Sequence, residues 1–193
     1  MDSYQKYKWF FTSEGNLVVG GKSAGQNDEL LNKLKESKKE YYIMHTKEPG
    51  SPFCAIISDI NKVSKRALEE CAVFTGCFSR AWKQGKKKTE VNIFKLSQLK
   101  KSKEMKTGSW RVIGDITKKD VEIELVLTKQ KGVLRAVPEK SVSSKEILAR
   151  IAPGKIDKKE AVINIALEIN GGEVSKNELL AALPAGGVRI VRK

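Results

Sequence analysis

The stretch from Trp9 to Leu31, WFFTSEGNLVVGGKSAGQNDELL, restricts the fold of this 193-residue chain more than any other. Two apolar runs, Trp9–Phe11 and Leu17–Val19, flank Thr12-Ser13-Glu14-Gly15-Asn16. Glycine and asparagine tolerate positive φ, so the pattern predicts a β-hairpin with a short turn. The second strand runs directly into Gly20-Gly21-Lys22. Ser23 then opens a helix, with Gln26 at the capping-box spacing. Asp28 and Glu29 follow, read as lying in the first turn, where the helix dipole favours anions. Strand, turn, strand, glycine loop and helix start form one unit. Its end presents unpaired N–H groups, and a phosphate loop of Gly20, Gly21 and Ser23 is one use for them. The other reading is steric: Gly20 and Gly21 let the strand turn sharply and the helix pack close.

Gly21-Lys22-Ser23 is not a nucleotide P-loop. That motif needs a glycine five residues before Gly21, where this chain has Asn16, and a hairpin is the wrong context for it. No other stretch implies a cofactor. Cys54, Cys71 and Cys77 form no CxxC pair, and a single histidine argues against zinc. The cysteines are expected as buried free thiols, which suits a reducing compartment. No apolar run is long enough to span a bilayer, and MDSYQKYKWF lacks a signal-peptide pattern, so a cytoplasmic location is expected.

The net charge is +14, and its placement is uneven. Residues 1–61 balance, with eight Lys against eight Asp and Glu. Residues 62–119 hold sixteen Lys and Arg against five acids, and residues 120–193 hold thirteen against ten. A local surplus of one sign implies a polyanionic partner, nucleic acid before membrane. The alternative is lysines that merely solvate the surface. Membrane binding would need an exposed apolar stripe, and the best stripe is better used as core. No membrane partner is expected.

That stripe is Val63, Ala67, Cys71, Phe74, Phe78 and Trp82, which predicts one helix over 63–82. Trp82 continues the stripe and is expected in the core. Ser79, Arg80 and Lys83 mark the helix end, and Arg80 with the run Lys86-Lys87-Lys88 is expected as a mobile cationic knob beside Trp82. Before this helix, Tyr41–Met44 and Phe53–Ile57 read as apolar strands around the turn cluster Lys47–Pro52. His45 stands where the first strand meets that turn. It is a structural histidine, a phosphate or base contact, or an acid/base. Catalysis lacks an orienting partner nearby in sequence.

Thr89–Leu96 and Ser109–Ile113 read as strands, with a lysine-rich helix or turn at 97–103 between them. Val121, Ile123, Leu125 and Leu127 alternate with Glu122 and Glu124 as one half-buried strand, and Val133–Val137 returns. The expected class is α+β: an antiparallel-rich sheet, one face packed by the long amphipathic helix. A linker follows Pro138, dividing 1–140 from a small helical appendage at 141–193. Three capping signatures mark the appendage, Ser143 with Glu146, Asp157 with Glu160 and Ser175 with Glu178, and Asn170-Gly171-Gly172 stops a helix. Val188–Val191 closes it as a strand. Its near-balanced charge suits packing or docking of a protein partner.

Three motifs together resemble the NFACT R domain, the RNA-binding domain of ribosome quality-control proteins, here without the rest of those proteins. They are Trp9–Leu31, HTKEPGSPF (His45–Phe53) and ALEECAVFTGCFSRAW (Ala67–Trp82). The likeness runs from about Tyr4 to about Val137. It implies a non-catalytic module that recognises tRNA or ribosomal RNA. Contacts to phosphates and to RNA shape are expected before a base code. Motif position or charge nominates Lys22, Asn27, His45, Lys47, Ser51, Arg80, Lys83, Lys86, Lys87 and Lys88, with Gly20, Gly21, Ser23 and Gly50 holding phosphate. The family also has a basic residue and a glycine at the turn matching Lys106-Thr107-Gly108. Its larger members carry an N-terminal domain, a helix-hairpin-helix part and a coiled coil, none legible here, so tail synthesis is not carried over. The rival is an RNA-processing enzyme with His45 as acid/base beside Ser51 or Ser79.

Overall fold

A computed structural model describes residues 3–169 and 174–192. The expected hairpin is β1 (Lys8–Phe11) with β2 (Leu17–Gly20), and Gly15 takes φ +79° in its turn. After α1 (Ala24–Glu36) come β3 (Tyr42–Thr46), β4 (Cys54–Ile57), α2 (Lys65–Cys77), α3 (Arg80–Lys83) and β5 (Lys88–Lys95). A ribbon of β6 (Leu99–Lys100) and β7 (Arg111–Val112) leads to β8 (Thr117–Glu122). The first sheet runs β1-β2-β4-β3-β5-β8, antiparallel throughout.

Alternate residues of a strand face opposite ways. Trp9, Val19, Ile43 and Phe94 meet Leu30, Leu31 and Leu34 of α1 on one face. Phe10, Val18, Met44, Ile56 and Val91 meet Cys71 and Phe74 of α2 on the other. The α+β class holds, but the sheet carries a helix on each face rather than one long helix on one. The three cysteines are free and buried.

The apolar stripe from Val63 to Trp82 is not one helix. Ser64 caps α2 through Ala67 N, and the backbone leaves helical geometry at Phe78. Ser79 Oγ donates to Gly76 O and accepts from Ala81 N, so one hydroxyl ends α2 and starts α3. Arg80 N, which a continuous helix would aim at Gly76 O, instead donates to Gly50 O at 3.0 Å. Periodicity survives this break because Phe78 and Trp82 on either side of it are both turned into apolar clusters. Trp82 is buried as expected, but in a different core from Cys71 and Phe74. Nor is there a helix at 97–103: a single 3₁₀ turn, Leu96–Gln98, runs into β6.

The alternation from Val121 to Leu127 also spans two elements. Val121 lies in β8 of the first sheet, whereas Leu125 and Leu127 lie in β9 (Leu125–Gln130) of a second. The second sheet is antiparallel, in the order β10-β9-β11-β12, with β10 at Val133–Val137, β11 at Ala149–Pro153 and β12 at Val188–Ile190. Thus β10 and β11, on either side of residue 140, both pair with β9. α4 (Lys158–Glu168) and α5 (Lys176–Ala182) pack on this sheet with Ala81 and Trp82. The Ser175–Glu178 capping box starts α5, and Asp157 caps α4. The Ser143–Glu146 box closes only a 3₁₀ turn, so this part has two helices among the described residues, not three. The stop at Asn170-Gly171-Gly172 lies outside the described residues.

The two sheets are fastened at the outer edge of β1. The Gln130 amide donates to Phe11 O at 2.9 Å and accepts from Phe11 N at 2.8 Å, and Arg135 Nε donates to Trp9 O at 3.1 Å. Side chains of β9 and β10 thereby take the place of a missing strand and cover the edge. Trp82 Nε1 adds a bond to Gly187 O at 3.0 Å. Gln130→Ala is expected to cost about 1–3 kcal/mol by leaving the Phe11 amide group unpaired. Urea unfolding of the variant checks this, and an unchanged midpoint would contradict it.

Candidate nucleic-acid interface

A cleft of about 620 Å³ opens where the first sheet's strand ends meet three loops. The Gly21–Ala24 loop and Asn27 form one side, and residues 45–53 the floor and second side. Thr107–Trp110 with Val112 forms a third wall, while Lys8, Phe78, Asn92 and Phe94 close the base.

Gly21 fixes the first side. A Cβ there would collide with the Asn27 carboxamide oxygen and come 2.8 Å from Asn27 N. Without one, Asn27 Oδ1 reaches across and accepts from Phe53 N at 3.1 Å, tying α1 to the start of β4. Ser23 Oγ accepts from Gln26 N at 3.2 Å, as its spacing predicts. The reciprocal bond shifts by one residue: Gln26 Oε1 accepts from Lys22 N, not Ser23 N. Asp28 and Glu29 lie past the first turn and bind elsewhere. Glu29 holds Lys6 and Tyr7. Asp28 accepts from Lys101 Nζ at 2.7 Å, Gly108 N at 3.0 Å and Trp110 Nε1 at 2.7 Å. Burial alone would raise this carboxyl's pKa, but those three bonds outweigh it and hold the pKa below the ordinary value. Asp28 is therefore the post on which the Thr107–Trp110 wall hangs.

The floor is aromatic. The His45 ring lies on Phe53, centroids 4.5 Å apart and planes tilted by 34°. His45 Nδ1 lies 2.7 Å from Thr46 O, a carbonyl that only accepts, so Nδ1 carries the proton. Burial lowers the imidazole's pKa, and the Thr46 bond only partly offsets this. At neutral pH the ring is uncharged and Nε2 is an acceptor. Across the β3–β5 pair, Asn92 faces His45, and its buried Oδ1 has no hydrogen-bond partner among the described residues. This end of the cleft is thus uncharged, and the His45 Nε2 acceptor suits a ribose hydroxyl or base N–H donor rather than phosphate.

Of the nominated residues, Gly21, Lys22, Ser23, Asn27, His45, Lys47, Gly50 and Ser51 line the cleft together. Ser51 Oγ accepts from Thr46 N at 3.0 Å, so its hydroxyl shapes the loop. Gly50, at φ +103°, lies against the Arg80 side chain, which a Cβ would strike at 2.6 Å. Gly20 packs behind the loop on Cys54 and Pro52. Lys83, exposed on α3, lies beside Gly186 and outside the cleft lining. Lys86 Nζ binds Glu48 at 2.8 Å, Lys87 O accepts from Ile123 N, and Lys88 starts β5 and pairs with Glu122 at 3.6 Å. The run expected to be mobile is thereby tied into structure. Ser79, the second hydroxyl considered beside His45, is spent on Gly76 and Ala81.

The cations that line the cleft are Lys8, Lys22 and Lys47, all from the charge-balanced first 61 residues. The basic middle segment contributes aromatic and polar wall residues instead, and several of its cations are paired: Arg66 with Glu70, Lys101 with Asp28, Lys119 with Glu69. Sequence reasoning passed over Lys8, Phe78, Asn92 and Trp110 as site residues. Only the Lys106–Gly108 turn gave a hint of the third wall.

Comparison with known proteins bears on this cleft. The pattern of the family described as the NFACT protein RNA binding domain matches residues 6–114. The chain belongs to this family. Every residue lining the cleft lies within the matched span. The archaeal Rqc2 homolog aRqcH of Methanocaldococcus jannaschii is 26% identical over 200 residues, covering 98% of this NFACT chain and 29% of that protein. Subunit NEMF of the ribosome quality control complex, in Mus musculus and Homo sapiens, is 30% identical over 80 residues, 41% of this chain and 7% of NEMF. The chain spans less than a third of the length of these relatives. Among solved structures, the C-terminal part of the fibronectin/fibrinogen-binding protein of Streptococcus suis shares the fold. Its TM-score is 0.52 at 21% identity, over 74% of this chain and 48% of that one.

His45 provides a check on the site. Proton–nitrogen NMR of the folded chain is expected to show the Nδ1–H tautomer and a midpoint below the ordinary value of about 6.5. Because the folded midpoint is depressed, the stability linked to this group is present above the unfolded midpoint. It is lost as pH falls through the folded one. A midpoint at or above the ordinary value would contradict the buried, neutral ring.

Proposed function

We propose that this NFACT domain binds RNA in ribosome-associated quality control, with tRNA as its ligand, and that the cleft is where the RNA sits. The observation that carries the reading is the division of labour within the cleft. Lys22 and Lys47 stand at its sides, where phosphates can reach them. The neutral His45, with Phe53, Asn92 and Trp110 around it, forms an uncharged interior suited to ribose hydroxyls and an unstacked base. Membership of an RNA-binding family, and relatives named for ribosome quality control, support the same conclusion.

The binding is sensitive to salt. With about six phosphates neutralised, affinity for tRNA falls roughly a thousandfold between 50 and 200 mM salt. Lys22→Ala and Lys47→Ala each lower the salt slope by about one, without changing the preference among RNAs. Asp28→Asn, which loosens the wall but leaves the cleft cations in place, weakens binding with the slope kept. Fluorescence anisotropy with tRNA and with ribosomal RNA fragments measures all three. No RNA binding, or a slope near zero, would overturn the proposal. A preference for ribosomal RNA would overturn the tRNA assignment alone.

A further inference from the structure

The second sheet is closed at one edge and open at the other. At its β10 edge, Arg135 Nε donates to Trp9 O and so joins β1. At the other edge, β12 pairs only with β11 among the described residues. The register shows which of its backbone groups are free. Val191 N donates to Arg150 O at 2.9 Å, and Gly187 O accepts from Gly154 N at 3.1 Å. Alternate residues of an antiparallel strand turn their amide groups to opposite sides, so Val188 and Ile190 turn theirs away from β11. Ile156 O accepts from Val188 N at 3.0 Å, which closes the beginning of the edge. Val188 O and both the N–H and the C=O of Ile190 are left without a partner among the described residues.

Beside this edge runs a groove of about 630 Å³. Its far wall is α4, which turns Ala161, Ile165 and Glu168 to it at spacings of four and three, one face of a helix. Val188 and Ile190 line the strand side. Leu167 and Ile156, exposed by 74% and 39%, border the groove with apolar surface.

An extended segment entering the groove would add one strand to this four-stranded sheet, and its two faces would continue those of β12. Val188 is buried and Ile190 half-buried in the core that holds Ala161 and Ile165. Arg189, between them, is exposed on the opposite face. Its side chain has no acceptor among the described residues, whereas Arg192 pairs with Glu168 at 3.1 Å. The groove thus suits apolar side chains toward α4 and a carboxylate beside Arg189. A second copy of this chain fits poorly, because pairing β12 with β12 gathers the Arg189 and Arg192 of both copies at one seam. RNA brings no alternating apolar side chains to such a groove.

We propose that the groove between β12 and α4 docks an extended segment of a partner protein, with apolar and acidic side chains in alternation, as an added strand on β12. The residues that line it lie beyond the family-matched residues 6–114, which contain the whole of the RNA cleft. Docking here is independent of RNA binding, and one chain can hold RNA in its cleft and a protein at its second sheet.

The probe is a short capped peptide of alternating valine and glutamate, titrated into the ¹⁵N-labelled full chain and followed by NMR. Saturable shifts are expected at Val188–Arg192 and on the facing side of α4. Hydrogen exchange of the Ile190 N–H should slow about tenfold or more as it gains an acceptor. Lysine in place of the probe's glutamate, or N-methylation of its backbone, should weaken binding about tenfold. Arg189→Glu is expected to weaken the glutamate probe about tenfold and to favour the lysine probe. Leu167→Ser should weaken both about threefold. Ile163→Ser, exposed on the same helix but outside the groove, should match the parent. All three positions are exposed, and the exchange of probes on the parent chain needs no variant.

No shift at β12, or equal binding of the glutamate and lysine probes, would overturn the proposal. Shifts at Val188–Arg192 with tRNA but with neither peptide would make this edge an RNA surface. Shifts there that grow with protein concentration alone, and no response to peptide, would make it a contact between two copies. Either result would overturn docking of a partner peptide. A parent chain that takes the glutamate probe but binds no RNA would overturn the RNA reading and support the docking site.

Discussion

The cleft depends on one missing carbon atom. Gly21 has no Cβ, and the space a Cβ would fill holds the carboxamide of Asn27, which accepts from Phe53 N. That bond joins the glycine loop, the first turns of α1 and the start of β4. Phe53, anchored there, is the surface on which the His45 ring lies. One residue beyond Asn27, Asp28 collects Lys101, Gly108 and Trp110 and so positions the opposite wall. Adjacent residues on one helix therefore set both sides of the cleft. A side chain at Gly21 would act through this joint, as steric overlap with backbone and a hydrogen-bonded amide, and not through any contact of its own with a ligand.

Much of this was legible in the chain. The hairpin, the Ser23 cap and the turn after His45 follow from local rules, and each involves residues close in sequence. The misread elements share another character. Val63–Trp82 and Val121–Leu127 keep an unbroken apolar rhythm while passing from one core to the next, and periodicity reports which face is apolar, not which core it meets. The break at Ser79 is set by Gly50, some thirty residues away, whose carbonyl takes the Arg80 N–H. The charge surplus misled for a similar reason. Counting Lys and Arg along the middle segment could not show that Lys101 meets Asp28 of the first stretch, that Arg66 and Lys119 are taken up by Glu70 and Glu69 of their own, or that the cleft takes its lysines from the balanced stretch.

Burial decides what charge does in this molecule. The lone histidine is buried enough to stay neutral, which makes it an acceptor on an aromatic floor rather than a cation for phosphate. Lys8, over the Phe78 ring at the cleft base, has its pKa pushed down to about 8, by burial first, and stays mostly charged at neutral pH. The cleft thus combines two kinds of surface, a neutral flat floor and the lysines Lys8, Lys22 and Lys47 around it. RNA presents both kinds of surface at once, bases and ribose hydroxyls beside phosphates.

The claim that RNA occupies this cleft is tested most directly by photo-crosslinking bound tRNA to the full chain and mapping the attached nucleotides by mass spectrometry. The account predicts adducts on peptides that carry Lys22, the His45–Phe53 segment and Trp110. Adducts confined to the exposed start of α2 around Lys65 and Arg66, or to the outer face of α4, with none in the cleft, would contradict it.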